Sequence, residues 1–253
     1  MVAARIRGMA RPHWMVLYGG ILSAWVALYV MALPDDLHAL GNVYGAEFLR
    51  SLCVVTPDAS GFAGLFAMWV LMSAAMMAPT ALPAFATYDE IGRRAETRFG
   101  TLVAGYLVVW AGFSVLAAVA QMALTQADAL TVIGDSRSAL LSGALLLLAG
   151  AYQFSALKEA CLSRCRAPLA FFLQHWEEGA LRNGLRLGAV CLGCCWALMT
   201  LAFVGGVMNL AFMGLATLVM AAEKLPWLGA VITRPLGSIL IAGGLFTLAT
   251  AIV

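Results

Sequence analysis

Hydrophobic residues run through this chain in six long stretches that contain no Asp, Glu, Lys or Arg. They cover residues 13–33, 60–88, 100–127, 138–157, 187–222 and 235–253. A helix that crosses the hydrocarbon core of a membrane needs about 20 such residues, and a helix satisfies its own backbone hydrogen bonds there. The pattern therefore predicts an all-α protein, a polytopic bundle of transmembrane helices that forms one integral membrane domain over residues 1–253.

The fifth stretch is too long for one span. As a single helix it would extend about 54 Å, whereas the hydrocarbon core is about 30 Å thick. Gly205, Gly206 and Asn209 mark a break, so we divide the stretch into two spans. The alternative is six spans, with a kinked and partly re-entrant segment in this region. The seven predicted spans are 13–33, 61–87, 100–126, 138–157, 187–206, 208–222 and 235–253.

The distribution of Lys and Arg favours seven spans with the N-terminus in the cytoplasm, because these residues concentrate in cytoplasmic loops. Of the 15 Lys and Arg residues, only Arg50 and Arg137 then lie outside. With six spans, Lys224 and Arg234 would also lie outside. The first span follows three arginines like a signal peptide, but its apolar core is about 20 residues long and no small-x-small cleavage site follows. We therefore expect this span to be retained.

The composition excludes a soluble enzyme. Hydrophobic residues make up 63% of the chain and charged residues 11%, against about a quarter charged residues in soluble proteins. The basic loops fit a lipid bilayer as partner, with no nucleic acid. No Asp, Glu, Lys, Arg or His lies in the interior of a predicted span, which argues against proton pumping. We expect Lys224 to extend outward to the interface, and Pro79 and Pro83 to bend or end the second span.

The cysteines carry the candidate chemistry. Cys53 falls in the first outside loop, whereas the other five are predicted near the cytoplasmic face, where reducing conditions argue against structural disulfides. Residues three or four apart share one face of a helix. We therefore predict a metal site with Cys191, Cys194 and Cys195 as primary ligands and with Cys161 and Cys165 as a second pair.

Methionines extend this sulfur-rich region. Met199 lies one turn beyond Cys195, and Met72 and Met76 form part of a stripe along the second span. If spans two, four and five meet, these three methionines are predicted to form a path for the metal ion next to the cysteines. Thiolates and thioethers together favour Cu(I), while zinc and iron–sulfur clusters also suit the thiolates. Alternatively, both residue types serve only as packing, because Met fills gaps between helices and Cys behaves as a small buried hydrophobe.

Three segments resemble a known family. They are AMMAPTALP at 75–83, GAYQFSALKEACLSRCRAP at 150–168, and LGAVCLGCCWALM followed by GVMNLAFM and AAEKLP. The chain is similar to the predicted metal-binding integral membrane protein family, a bacterial domain of unknown function, from about residue 61 to the C-terminus. CLGCCWALM and LKEACLSRCR are the specific motifs, and Ala156 stands where the family usually has Pro. The resemblance implies metal binding in the bacterial inner membrane, without naming the metal.

These observations favour an integral membrane protein that holds Cu(I) or another soft metal near the cytoplasmic face, for metal handling or delivery. A metal donor or acceptor protein, or a larger membrane complex, would be its partner. A metal-dependent membrane redox enzyme or subunit is a second interpretation, although no catalytic residue is identified. A structural subunit of a membrane complex is a third.

Overall fold

The computed structural model describes residues 11–33, 52, 58–92, 98–131 and 134–252, and it is built from helices. No β-strand occurs within these ranges, so the prediction of an all-α fold is confirmed. The α-helices are α1 Pro12–Ala32, α2 Ala59–Ile91, α3 Phe99–Gln126, α4 Ala139–Tyr152, α5 Ala156–Arg166, α6 Pro168–His175, α7 Gly179–Thr200, α8 Ala202–Gly205, α9 Leu210–Glu223 and α10 Gly229–Ile252. A short 3-10 helix, Trp176–Glu178, connects α6 to α7.

Several helices are long and apolar enough to cross a membrane. Five segments qualify among the described residues, namely α1, α2, α3, the run from α6 to α8, and Val231–Ala251 of α10. Helices α4 and α5 qualify only together, which makes up to six. Helix α9 has 14 residues and extends about 21 Å, less than the hydrocarbon core of about 30 Å. Seven spans and a cytoplasmic N-terminus therefore stay predictions.

The fourth predicted span differs from the structure. It was expected to be continuous over 138–157, but α4 ends at Tyr152 and α5 leaves it at an angle of 61°. The Ser155 side chain accepts a hydrogen bond from the backbone N–H of Lys158, which is the capping arrangement that starts a new helix. This bend turns the helix that carries Cys161 and Cys165 back towards α7.

The helix breaks at the position predicted in the fifth stretch, whereas the division of this stretch into two spans stays a prediction. Helix α8 ends at Gly205, and Gly206 has a φ of +93°, a conformation that glycine adopts without strain. Asn209 then accepts a hydrogen bond from the backbone N–H of Phe212 and caps α9.

The two prolines of α2 do not end the helix, so that part of the expectation is wrong. The helix continues from Ala59 to Ile91 through Pro79 and Pro83. Because Pro79 has no N–H, the carbonyl of Ala75 lacks its usual helical donor. Trp25 on α1 donates its indole N–H to that carbonyl at 2.9 Å. The proline is therefore accommodated by a contact that also joins α1 to α2.

Glycines allow α3 and α7 to pack backbone against backbone. A Cβ at Gly105 would lie 2.6 Å from the carbonyl oxygen of Leu181, and one at Gly184 would lie 2.1 Å from that of Leu102. Such distances are too short for carbon and oxygen in contact, so only glycine fits without movement of a backbone. Close approach through small residues is the usual way in which membrane helices associate. This contact fixes α7, the helix with three cysteines, against α3.

We expect Gly105→Ala to destabilise the protein by about 1–3 kcal/mol, because the added methyl group separates α3 from α7. Gly112→Ala on the same helix is the matched control, since a Cβ there meets no atom within 4 Å. Alanine also favours a helix over glycine, so this control should be neutral or slightly stabilising. Thermal unfolding midpoints in one detergent, at one heating rate, would measure both; equal midpoints would contradict the close contact.

Candidate metal centre

Three cysteine thiols of α7 lie together inside the bundle. The Sγ atoms of Cys191, Cys194 and Cys195 all lie within 4.8 Å of one another, and each residue is 1% exposed. The Sγ atoms of Cys194 and Cys195 are 3.2 Å apart. The five described cysteines are free thiols. The structure thus brings the three predicted primary ligands together, and we call them the thiol cluster.

The dimensions of the thiol cluster fit one soft metal ion. With metal–sulfur bonds of about 2.3 Å, three sulfurs around one ion lie about 4 Å apart. The observed separations, from 3.2 Å to at most 4.8 Å, bracket this value. Thiolates select Cu(I), zinc or iron–sulfur clusters. The burial of the cluster favours an ion whose charge is compensated nearby.

The second predicted pair lies next to the thiol cluster, on α5. Cys165 is half-buried, and its Sγ lies 4.0 Å from the Sγ of Cys194. Cys161 is buried, and a Cβ on Gly193 of α7 would lie 2.6 Å from its Sγ. The glycine between the cysteines of α7 therefore makes room for a thiol of α5. The ligand roles of Cys161 and Cys165 stay predictions.

The predicted methionine ligands are buried in the same hydrophobic core as the thiol cluster. Met72 and Met76 lie on α2, and Met199 lies on α7. Burial suits both a thioether ligand and simple packing, so their ligand role also stays a prediction. Cys53 lies outside the described residues.

Two polar side chains that the sequence analysis missed contact Cys191. The ammonium group of Lys224 donates to Cys191 Sγ at 3.0 Å and to Thr80 Oγ1 at 2.6 Å. The hydroxyl of Tyr106 lies 3.1 Å from Cys191 Sγ and donates to the carbonyl of Met77 at 2.9 Å. These contacts link the thiol cluster to α2, α3 and the end of α9.

The expectation that Lys224 extends outward is wrong, because α9 ends inside the bundle. Helix α8, which precedes α9, packs against the loop before α4, where the backbone N–H of Ser136 donates to the carbonyl of Phe203 at 2.9 Å. From that end, α9 extends only about 21 Å, which leaves Lys224 level with Thr80 and Cys191. The shortness of the predicted sixth span was the available signal.

The ammonium group of Lys224 places a positive charge next to the thiol cluster. A buried ammonium group is costly unless an anion compensates it. Cys191 Sγ lies 3.0 Å from that group and would supply the anion as a thiolate, which is the form that binds metals. The contact would therefore stabilise both Cys191 in its metal-binding form and the buried ammonium group of Lys224.

A buried ion pair holds α5 against the end of α9. Lys158 Nζ lies 2.8 Å from Glu223 Oε2, and both side chains are 1% exposed. Arg166 also donates from Nε to the backbone carbonyl of Glu223 at 3.0 Å. Lys158 directly follows the fourth predicted span and is therefore expected in a cytoplasmic loop; the structure instead buries it, because Glu223 neutralises its charge. The pair therefore joins α5, the helix that contains Cys165, to the end of α9, next to Lys224.

Segments of α2, α5, α7 and α9 surround a cavity of about 750 Å³. The face of α2 from Pro79 to Thr87 forms one wall. Cys165, Arg166, Cys191 and Lys224 are among the other lining residues. Helices α2 and α7, which contain predicted spans two and five, line this cavity together with the end of α5, which lies after predicted span four, and two of the candidate thiols face it.

A family model described as copper chaperone, PpoB2, matches residues 66–247. The chain belongs to the PpoB2 copper chaperone family. The PpoB2 match begins in α2, ends in α10 and includes the thiol cluster, Cys161, Cys165 and Lys224. It supports the metal-binding resemblance of the sequence and names copper, the soft metal that the sulfur ligands favour. No curated protein and no solved structure matches the chain.

Proposed function

We propose that this protein is an integral membrane protein of the bacterial inner membrane that binds Cu(I) and delivers it to an acceptor protein. The observation that carries the proposal is the buried thiol cluster, whose three Sγ atoms lie within 4.8 Å of one another. Membership of a copper chaperone family supports copper as the metal. The ion is cargo in this proposal, so no chemical transformation is required of the site.

The charges around the thiol cluster suit a monovalent ion. One Cu(I) held by two thiolates carries a single negative charge, which the ammonium group of Lys224 neutralises at 3.0 Å from Cys191. A neutral assembly is the one that a buried, apolar site tolerates best. Iron–sulfur clusters are held by four thiolates, one more than the thiol cluster contains. Zinc would need Cys165 as its fourth ligand.

The remaining predicted ligands extend the site in two directions. Cys161 and Cys165 on α5 form the second thiol pair, and Met72, Met76 and Met199 provide uncharged thioethers in the core beside the thiol cluster. The predicted topology, seven spans with a cytoplasmic N-terminus, would place these sulfurs towards the cytoplasmic face. The acceptor would then exchange the ion on that side, or take it along the methionines.

Elemental analysis tests the proposal. The protein is purified reduced in detergent, supplied with Cu(I) and freed of excess metal, beside a variant with Cys191, Cys194 and Cys195 all changed to Ser. We expect near-stoichiometric copper in the wild type and its loss in the variant. Cys53→Ser, which changes a cysteine outside the predicted ligand set, should keep its copper. Zinc in place of copper, or copper retained by the triple variant, would contradict the proposal.

A further inference from the structure

A second cavity, of about 450 Å³, lies between the end of α5, helix α6 and the first half of α7. It shares no lining residue with the cavity beside the thiol cluster. Two exposed arginines from different helices line it, Arg164 of α5 and Arg186 of α7. None of the described residues that line it is acidic. This basic cavity is therefore suited to a negatively charged ligand.

Both arginines keep hydrogen-bond donors for such a ligand. Arg186 donates from Nε to Glu178 Oε2 at 2.7 Å, and its two terminal nitrogens make no hydrogen bond within the part of the chain that the structure describes. The guanidinium group of Arg164 has no hydrogen bond or ion pair with another described residue. Guanidinium groups bind phosphate oxygens through charge-assisted hydrogen bonds. A phosphate has several such oxygens, so one phosphate can bind both side chains.

The other polar residues of the basic cavity suit a hydroxyl-bearing group next to the phosphate. The ring of His175 lies with Nδ1 at 2.8 Å from the carbonyl oxygen of Phe171. Because a carbonyl oxygen only accepts, Nδ1 donates, and Nε2 of the neutral ring is then an acceptor. An acceptor fits a hydroxyl better than a phosphate. Gln174 adds an amide to the lining.

The exposed face of α6 indicates that the phosphate belongs to a lipid. Leu169 and Leu173 are four residues apart, so they share one helix face, and they are 54% and 61% exposed. The residues that follow them, Ala170 and Gln174, line the basic cavity. An apolar face beside a basic one is typical of a helix that lies in the membrane interface. Basic pockets between membrane helices bind anionic headgroups.

We propose that the basic cavity binds the headgroup of an anionic phospholipid, with Arg164 and Arg186 on its phosphate and with the acyl chains along Leu169 and Leu173. One phosphate then joins α5 to α7, the two helices that carry the described cysteines. The inference rests on the proposed function only for the membrane location. Copper has no part in it, so copper binding and lipid binding are tested separately.

Lipid binding to the copper-free protein in a neutral detergent tests the inference. Energy transfer from the tryptophans to pyrene-labelled lipid reports binding. The probes are phosphatidylglycerol, which is anionic, and phosphatidylcholine, in which a quaternary ammonium group cancels the phosphate charge, with the same acyl chains. We expect the wild type to bind phosphatidylglycerol about tenfold more tightly, the effect of a hydrogen bond to a charged group. Inorganic phosphate should not displace it at constant ionic strength, because it lacks acyl chains.

Three variants locate the binding site. Arg164→Gln and Arg186→Gln should each remove most of the preference for phosphatidylglycerol. Arg182→Gln is the matched control, because it removes the same charge from an exposed position on α7, one turn before Arg186, that does not line the basic cavity. This control should keep the preference. The preference is a ratio within one protein sample, so a misfolded fraction does not imitate its loss.

Several results would overturn the inference. They are equal affinities for the two lipids in the wild type, a preference that survives either Arg164→Gln or Arg186→Gln, and an equal loss in Arg182→Gln, which would indicate a diffuse surface charge. Displacement of phosphatidylglycerol by millimolar inorganic phosphate would assign the basic cavity to free phosphate and would also overturn it. A protein that binds the lipid as expected but no copper would instead refute the proposed function alone.

Discussion

Lys158→Met is expected to destabilise the protein by about 3–5 kcal/mol, because it leaves the Glu223 carboxylate buried without its counterion. The two groups lie 2.8 Å apart and are both 1% exposed. One oxygen of Glu223, Oε1, already lacks a hydrogen-bond partner among the described residues. The carboxylate therefore depends on Lys158 for compensation, and the single change should lower the thermal unfolding midpoint strongly.

A double variant separates loss of the pair from loss of packing. Lys158→Met combined with Glu223→Met removes both charges and should recover most of the stability, because an apolar pair of similar size is often as stable as a buried ion pair. Arg186→Met is the exposed control: Arg186 contacts Glu178 at 2.7 Å with 52% of its side chain exposed, and such surface pairs contribute about 0–1 kcal/mol. A Lys158→Met protein as stable as the wild type would refute the burial of this pair.

Lys224→Met is expected to weaken Cu(I) binding by roughly ten- to a hundredfold, which corresponds to the loss of a hydrogen bond to a charged group. The ammonium group lies 3.0 Å from Cys191 Sγ, where it compensates the negative charge that the thiolates bring to a buried site. Without it, the copper-bound cluster keeps an uncompensated charge. Competition with a chromophoric Cu(I) chelator at constant pH would measure the change in affinity.

Thr80→Val is the control for this substitution. Thr80 accepts a hydrogen bond from Lys224 at 2.6 Å, so its replacement disturbs the same lysine but leaves the positive charge in place. We expect a much smaller effect on Cu(I) affinity than that of Lys224→Met. Equal affinities in the wild type and in Lys224→Met would show that the ammonium group does not contribute to metal binding.

Much of the fold follows from the sequence because hydropathy and helical periodicity are local properties. The apolar stretches predict helices α1, α2 and α3 closely. Gly206 and Asn209 mark the break before α9 because a positive φ favours glycine and a helix start favours an Asn cap. The spacing of Cys191, Cys194 and Cys195 predicts a shared face by the same reasoning.

The polar surroundings of the site depend on contacts between distant segments. Hydropathy gives the length of an apolar stretch but not the depth at which its helix ends, so the inward position of Lys224 was not predicted. Lys158 and Glu223 are far apart in sequence and become partners only because α5 bends back by 61° from α4. The same bend brings Cys165 within 4.0 Å of Cys194. Ser155, which caps α5, was the local signal for that bend.

X-ray absorption at the copper edge of the reduced, Cu(I)-loaded protein tests the central claim most directly. We expect a first coordination shell of sulfur alone, supplied by Cys191, Cys194 and Cys195, and we expect that shell to be lost when all three are changed to Ser. A first shell of nitrogen or oxygen in the wild type, or a sulfur shell that persists in the triple variant, would contradict copper binding by the thiol cluster.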